Sequence, residues 1–216
     1  MARNKYPEET VEKILTAARR LYLEKGYEKT TIQDIVDQLG GLTKGAVYHH
    51  FKSKEEIMDA VCLKMFFDHN PFDRVRGRSD LTGLEKMKEV IRMTQEPEWS
   101  SLGRQSMPLL KNPQILAKTL EENQRILKPL WLELIREGMA DGSIRTDYPD
   151  EVAELLILLD TLWIAPTVFP ATREGVLHKF HCAGEIFAHL GVPLIDQEML
   201  DLADRYFQLV PPEFLQ

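Results

Sequence analysis

Thr30-Thr31-Ile32-Gln33-Asp34-Ile35-Val36-Asp37-Gln38-Leu39-Gly40-Gly41-Leu42-Thr43-Lys44-Gly45-Ala46-Val47-Tyr48-His49-His50-Phe51-Lys52-Ser53-Lys54 is the stretch on which the fold turns. Its first half has the periodicity of a short helix, with Ile32, Ile35, Val36 and Leu39 on the inward face. Thr31 stands as N-cap with Asp34 three residues on. That is the spacing of a capping box, in which each residue satisfies an orphan N–H of the first turn. Gly40-Gly41 then ends the periodic run, because glycine tolerates backbone angles closed to other residues. A second short helix is expected over about Thr43 to His49. Leu42, Ala46 and Phe51 are assigned to its inner side, and Thr43, Lys44, Gly45, Tyr48 and His49 to solvent. Helix, tight turn and helix together make a helix-turn-helix.

The outward set suits DNA. Lys44 can meet a phosphate or a guanine edge, and Tyr48 and His49 can donate to phosphate oxygens. Gly45 has no side chain to hold a groove away. Thr31 and Lys54 open helices whose positive ends favour a phosphate. Arg3 and Lys5 are candidates for an arm entering a minor groove, with a frayed terminus as the simpler reading.

On the N-terminal side, Pro7 opens a first helix whose stripe is Val11, Ile14, Leu15, Ala18, Leu21 and Tyr22, and Gly26 stops it. On the C-terminal side, Ser53 and Glu56 read as another capping box, opening a helix to about Asp68. A loop is expected from Asn70-Pro71 to Gly77-Arg78. Helices follow at about 80–95, 99–111, 113–141, 149–166, 172–190 and 195–208. Asn112-Pro113 starts the longest, and Pro129 is expected to kink it. No stretch alternates as a strand would. The expected fold is all-α: a three-helix head over residues 1–54 on a larger helical body over 55–216.

The chain is 44% hydrophobic and 28% charged, enough to fill a globular core. Its net charge of −7 is unevenly spread: residues 1–54 carry ten Lys/Arg against seven Asp/Glu, and residues 55–216 carry 17 against 27. A mildly basic head can be drawn to DNA while an acidic body is repelled. The acidic balance of the body suits a cationic ligand, and equally a soluble surface. Two cysteines, Cys62 and Cys182, make no disulfide framework and fit a reducing cytoplasm. The N-terminus has no apolar core of a secretory leader. The longest apolar run, Val152 to Phe169, holds Glu154, Asp160 and Pro166, which suits a buried helix and not a membrane span.

No nucleophile elbow, phosphate loop, dinucleotide fingerprint or zinc-protease helix is present, so neither catalysis nor a cofactor is expected. His178, His181 and Cys182 share a helix at ligand-like spacings, but neighbours on one helix do not complete a site, and no metal is expected. Candidates for a ligand site in the body are Trp99, Met107, Trp131, Asp160, Trp163 and Phe169. Such side chains line pockets and cores alike. Asp160 inside an apolar helix needs a partner.

The segment quoted first resembles the TetR (tetracycline repressor)/AcrR family of transcriptional regulators. The resemblance rests on Thr30-Thr31-Ile32-Gln33-Asp34-Ile35, on Thr43-Lys44-Gly45-Ala46-Val47-Tyr48-His49-His50-Phe51 and on Lys52-Ser53-Lys54-Glu55. It extends to Ile14-Leu15-Thr16-Ala17-Ala18, Tyr22 and Gly26-Tyr27, so it covers residues 8–60, with a weaker echo over Gly138–Asp147. One departure is Gly40-Gly41-Leu42-Thr43, which carries one residue more than the family's usual turn and can shift the recognition helix. The resemblance implies an Ω-shaped homodimer held by a four-helix bundle from residues about 149–190. Ligand in the body would change the separation of the two heads. The resemblance thus makes residues 1–54 the DNA-binding domain and residues 55–216 the ligand-binding and dimerisation domain, and the implied function is sequence-specific operator binding that represses transcription and is relieved by a small-molecule effector. The alternatives are a chromosome-organising factor on the same scaffold, or an all-α enzyme.

Overall fold

A proline at the first helical position and two glutamates in the first turn start α1 (Pro7–Lys25), and Gly26, at φ +88°, ends it. The computed structural model describes residues 7–215, so Arg3 and Lys5 lie outside the described residues. Three further helices follow: α2 (Ile32–Asp37), α3 (Lys44–His50) and α4 (Lys54–Asp68). Next come α5 (Pro71–Arg76), α6 (Gly83–Thr94), α7 (Pro97–Ser106) and a 3₁₀ turn (Met107–Lys111). α8 (Pro113–Asp141) is the longest, followed by α9 (Pro149–Leu158), a π-helical turn (Leu159–Trp163), α10 (Arg173–His189) and α11 (Gln197–Gln208). A second short 3₁₀ turn (Pro212–Phe214) precedes the end. The protein is all-α, with no strand among the described residues.

Three stretches differ from expectation. The loop expected at 70–78 contains α5: Pro71 takes the first helical position, Asp73 lies in the first turn, and Phe72 and Val75 are buried. Phe72 meets the ring of Trp131 edge to face at 4.7 Å. The helix expected at 99–111 stops at Ser106 and tightens into the 3₁₀ turn, since Pro108 has no N–H to continue the α ladder. The helix expected at 149–166 passes at Leu159 into the π turn, in which the Ile164 N–H reaches the Leu159 carbonyl at 2.8 Å. α8 runs through Pro129 without ending.

The chain folds into two compact units. The head takes the described residues to Asn70 together with Ser101–Ser106, and the body takes Pro71–Ser100 with Met107–Gln216. The boundary expected from the sequence, between 54 and 55, falls at the start of α4. That helix instead buries Ile57, Met58, Val61 and Met65 within the head, and Lys64 pairs with Glu12 of α1 at 3.0 Å. The end of α7 joins the same core. Leu102 is buried, and the Gln105 side chain accepts the Tyr27 N–H at 2.7 Å. In the body, Met107, Ile164, Val176, Phe207 and Val210 form a core cluster that Leu159, Phe180 and Tyr206 flank. No helix among the described residues is long and apolar enough to cross a membrane.

Candidate nucleic-acid interface

The interface is built from the caps upward. Thr31 is the N-cap of α2, and its capping box with Asp34 forms as expected. Asp34 accepts from the Thr31 N–H and from the Thr31 hydroxyl, both at 2.7 Å, and its carboxylate pairs with Lys25 at 2.8 Å. These donors, the Lys25 ammonium first, hold the Asp34 carboxyl well below the usual carboxylate range. They also tie the end of α1 to the start of α2. The Thr31 hydroxyl proton is therefore already given to Asp34.

The turn from α2 to α3 needs both of its glycines. Gly40 has φ +54° and Gly41 φ +114°, where an L side chain is strained although there is room for one. The turn thus passes through two successive left-handed positions. Thr43 then caps α3, its hydroxyl oxygen accepting the Ala46 N–H at 3.2 Å. Its own O–H has no acceptor among the described residues, unlike that of Thr31.

α3 is anchored by Val47, which is wholly buried, and by Phe51 just beyond its end. The inward set expected from the sequence, Leu42, Ala46 and Phe51, missed Val47, while Leu42 and Ala46 are not buried. The signal was available. Val47 and Phe51 are four residues apart and share a helix face, whereas Ala46 and Phe51 are five apart.

The outward set lies where expected. Thr43, Lys44, Gly45, Tyr48 and His49 are all exposed, and Tyr48 presents 52% of its surface. His49 stacks edge to face on His50 at 5.2 Å. A Cβ added to Gly45 would meet only the Thr43 hydroxyl, at 3.7 Å, and Gly45 is not among the glycines with positive φ. Neither packing nor backbone angle within the protein asks for glycine there.

Lys54 is placed differently. Its ammonium donates to the Tyr27 carbonyl at 3.1 Å and the Thr30 carbonyl at 3.2 Å, and it sits 4.1 Å from the centroid of the Tyr27 ring. It fastens α4 to the α1–α2 turn. At the start of α4 the Ser53 hydroxyl caps the Glu56 N–H at 3.2 Å, but Glu56 returns its carboxylate to the Lys52 N–H at 2.6 Å, so the expected box is not reciprocal at Ser53.

The six ligand candidates take different places in the structure. Met107 is buried in the body core, Trp131 packs on Phe72, and Trp99 is half-buried on α7. Trp163 and Phe169 are linked by Lys179, which donates to both their carbonyls at 2.9 Å. Asp160 lies in the π turn. Two shallow grooves on the body, of about 500 Å³ along α8 and about 360 Å³ along α10, include none of the six.

The model of "Bacterial regulatory proteins, tetR family" matches residues 14–61, which run from within α1 to the middle of α4. The chain is 30% identical over 158 residues to the HTH-type transcriptional repressor KstR2 of Rhodococcus jostii, covering 70% of this chain and 76% of that one. It is 27% identical over 177 residues to the HTH-type transcriptional repressor AcnR of Corynebacterium glutamicum, covering 79% and 88%. Its fold is like that of a transcriptional regulator from Cytophaga hutchinsonii, with a TM-score of 0.59 at 19% identity over 96% of this chain and 97% of the other. A capped helix-turn-helix with a polar outer face, found in a chain related along most of its length to such proteins, has one meaning: the protein is a DNA-binding transcriptional regulator and belongs to the tetR family of bacterial regulatory proteins.

Proposed function

We propose that the protein is a cytoplasmic homodimeric repressor that grips an operator through α3 of two heads and lets go when a small molecule binds in the body. The observation that carries the DNA-binding surface is the outer face of α3. It presents Lys44, Tyr48 and His49 around a glycine that the fold itself does not require. Lys44, Tyr48, His49 and the Thr43 hydroxyl are the proposed phosphate and groove contacts, and bare Gly45 lets the helix come close. Thr31 and Lys54 serve the site by holding α2 and α4 in register, and the N-termini of their helices face the same task. The repressor reading follows the names of the relatives.

Dimerisation is proposed through residues about 149–190. Leu158 of α9 and Ile186 of α10 are large apolar side chains left 44% and 39% exposed. The functional division is a DNA-binding part near 1–54 and an effector and dimer part beyond it. The six residues Trp99, Met107, Trp131, Asp160, Trp163 and Phe169 enter the effector reading unequally. Met107 and Trp131 serve packing, and Asp160 and Trp163 stay as contacts.

The test is titration of the purified protein onto the DNA upstream of its own gene, across a salt series, with unrelated DNA as competitor. Tight binding that survives competitor and falls steeply with salt is expected. Binding no tighter than to competitor removes local repression and favours dispersed occupancy of the kind a chromosome-organising factor would show.

A further inference from the structure

α10 buries Val176, Ala183 and Phe187. At about 100° per residue, His178, Cys182, Glu185 and His189 fall within an arc of about 60°, roughly opposite that buried face. All four are exposed, as is His181 beside them. Three of the chain's six histidines and one of its two cysteines thus stand in solvent on one helix. His189 has its Nδ1 2.8 Å from the Glu185 carbonyl, which can only accept, so that nitrogen carries a proton. His178 and Cys182 have no hydrogen-bond or ionic partner among the described residues, and their donor atoms are free.

His178 and Cys182 are four residues apart, so they stand one above the other on the helix, about 5–6 Å between Cβ atoms. An imidazole and a thiolate at that spacing can hold one ion together, and zinc takes four such ligands in a tetrahedron. One chain offers only two. No three His, Cys, Asp or Glu side chains converge on a common point among the described residues. The same face offers a place for a second copy. Ile186 is 39% exposed there, and Cys182, Glu185, Ile186, His189 and Leu190 border an open groove of about 360 Å³. In a twofold dimer the seam is the same patch on both chains, so an α10 ridge laid on the axis meets its own counterpart. Two ligands from each chain then make four.

We infer that two copies of this chain hold one zinc-class ion between their α10 helices, each copy giving His178 and Cys182. This rests on the dimer through residues about 149–190 proposed above and adds a metal to its seam. Two thiolates and two imidazoles in a tetrahedron select zinc over magnesium or calcium, which prefer oxygen ligands. Each thiol binds as thiolate, its proton passing to solvent.

The test is titration of the chelator-treated, full-length protein with cobalt(II) as a visible stand-in for zinc, and then with zinc itself. Cobalt is expected to bind at one ion per two chains, with the strong visible absorption of a tetrahedral site and a near-ultraviolet thiolate band, both removed by zinc. Cys182→Ser is expected to lose the thiolate band and His178→Ala the tetrahedral intensity. His181→Ala, about 100° around the helix from Cys182, is expected to keep both. All three positions are exposed, so helical content by circular dichroism should not change. Free zinc buffered at about a hundred times its Kd is expected to tighten the dimer roughly 100-fold in sedimentation, and Cys182→Ser to lose that gain. Cobalt bound by monomers, or bound equally well by Cys182→Ser, overturns the site. A protein that is dimeric in chelator and takes up no cobalt overturns the metal and leaves the dimer standing. A protein that stays monomeric with and without zinc overturns the dimer, and the site with it.

Discussion

At Gly45 stability and function pull apart. A glycine inside a helix costs roughly 0.5–1 kcal/mol against alanine. Nothing in the head offsets that cost, since an added Cβ would make only one ordinary contact, at 3.7 Å. Gly45→Ala is therefore expected to raise the melting temperature of the protein and weaken operator binding at once. A variant that gains stability at full affinity would place the groove farther from α3 than proposed. The two lysines divide in a similar way. Lys44 is exposed, so Lys44→Ala should lower the slope of log affinity against log salt by about one unit. Lys54 is held by two carbonyls of the head, so Lys54→Ala should lower the melting temperature and leave the salt slope unchanged. A shift of the slope by Lys54→Ala would return that side chain to the phosphate. The sequence picks out both lysines, but it cannot tell them apart. Which carbonyl an ammonium reaches depends on the path of the chain 24 to 27 residues away.

For helices, legibility follows the range of the forces involved. Caps are local, and the Thr31–Asp34 box is readable from four consecutive residues. The inner face of α3 was not so readable. In a helix of seven residues, a phase error of one residue turns the face by about 100°, and that is the distance between Ala46 and Val47. α5 was hidden because Asn70-Pro71 reads as a break, while the same proline fits a first helical position. The α2 cap carries a pH dependence whose sign is fixed. Hydrogen bonds from Lys25 and Thr31 depress the folded pKa of Asp34, so its contribution is complete above the ordinary carboxylate pKa of about 4 and is lost as pH falls below it. Asp34→Asn should therefore melt below wild type at neutral pH, and the gap should close as the pH is lowered past about 4. A gap that is constant across that range in a pH series of melts would mean that packing, and not the ionised carboxylate, sets the effect.

For the whole molecule, the all-α class and the DNA-binding head were legible, and the interior of the body was not. Apolar and aromatic side chains satisfy core and pocket equally well. Met107 went to the core cluster and Trp131 to Phe72, and only tertiary packing decides this. Exposure carries more information than residue type here. Leu158 and Ile186 stay open on α9 and α10, and the dimer proposed through residues 149–190 is one that would cover them. A dimer places two α3 helices on two half-sites, so the second contact is made at the effective concentration the first one sets. Ile186→Glu puts a charge into the proposed bundle without disturbing a buried residue. It is expected to sediment as a folded monomer, with unchanged helical content by circular dichroism. Its affinity for a full operator should fall by roughly 100-fold or more, toward that of a single half-site. If Ile186→Glu stays dimeric at micromolar concentration, residues 149–190 are not the seam. A monomer that still binds the full operator at wild-type affinity would instead show that one head suffices, and an effector could not then act by changing the distance between two.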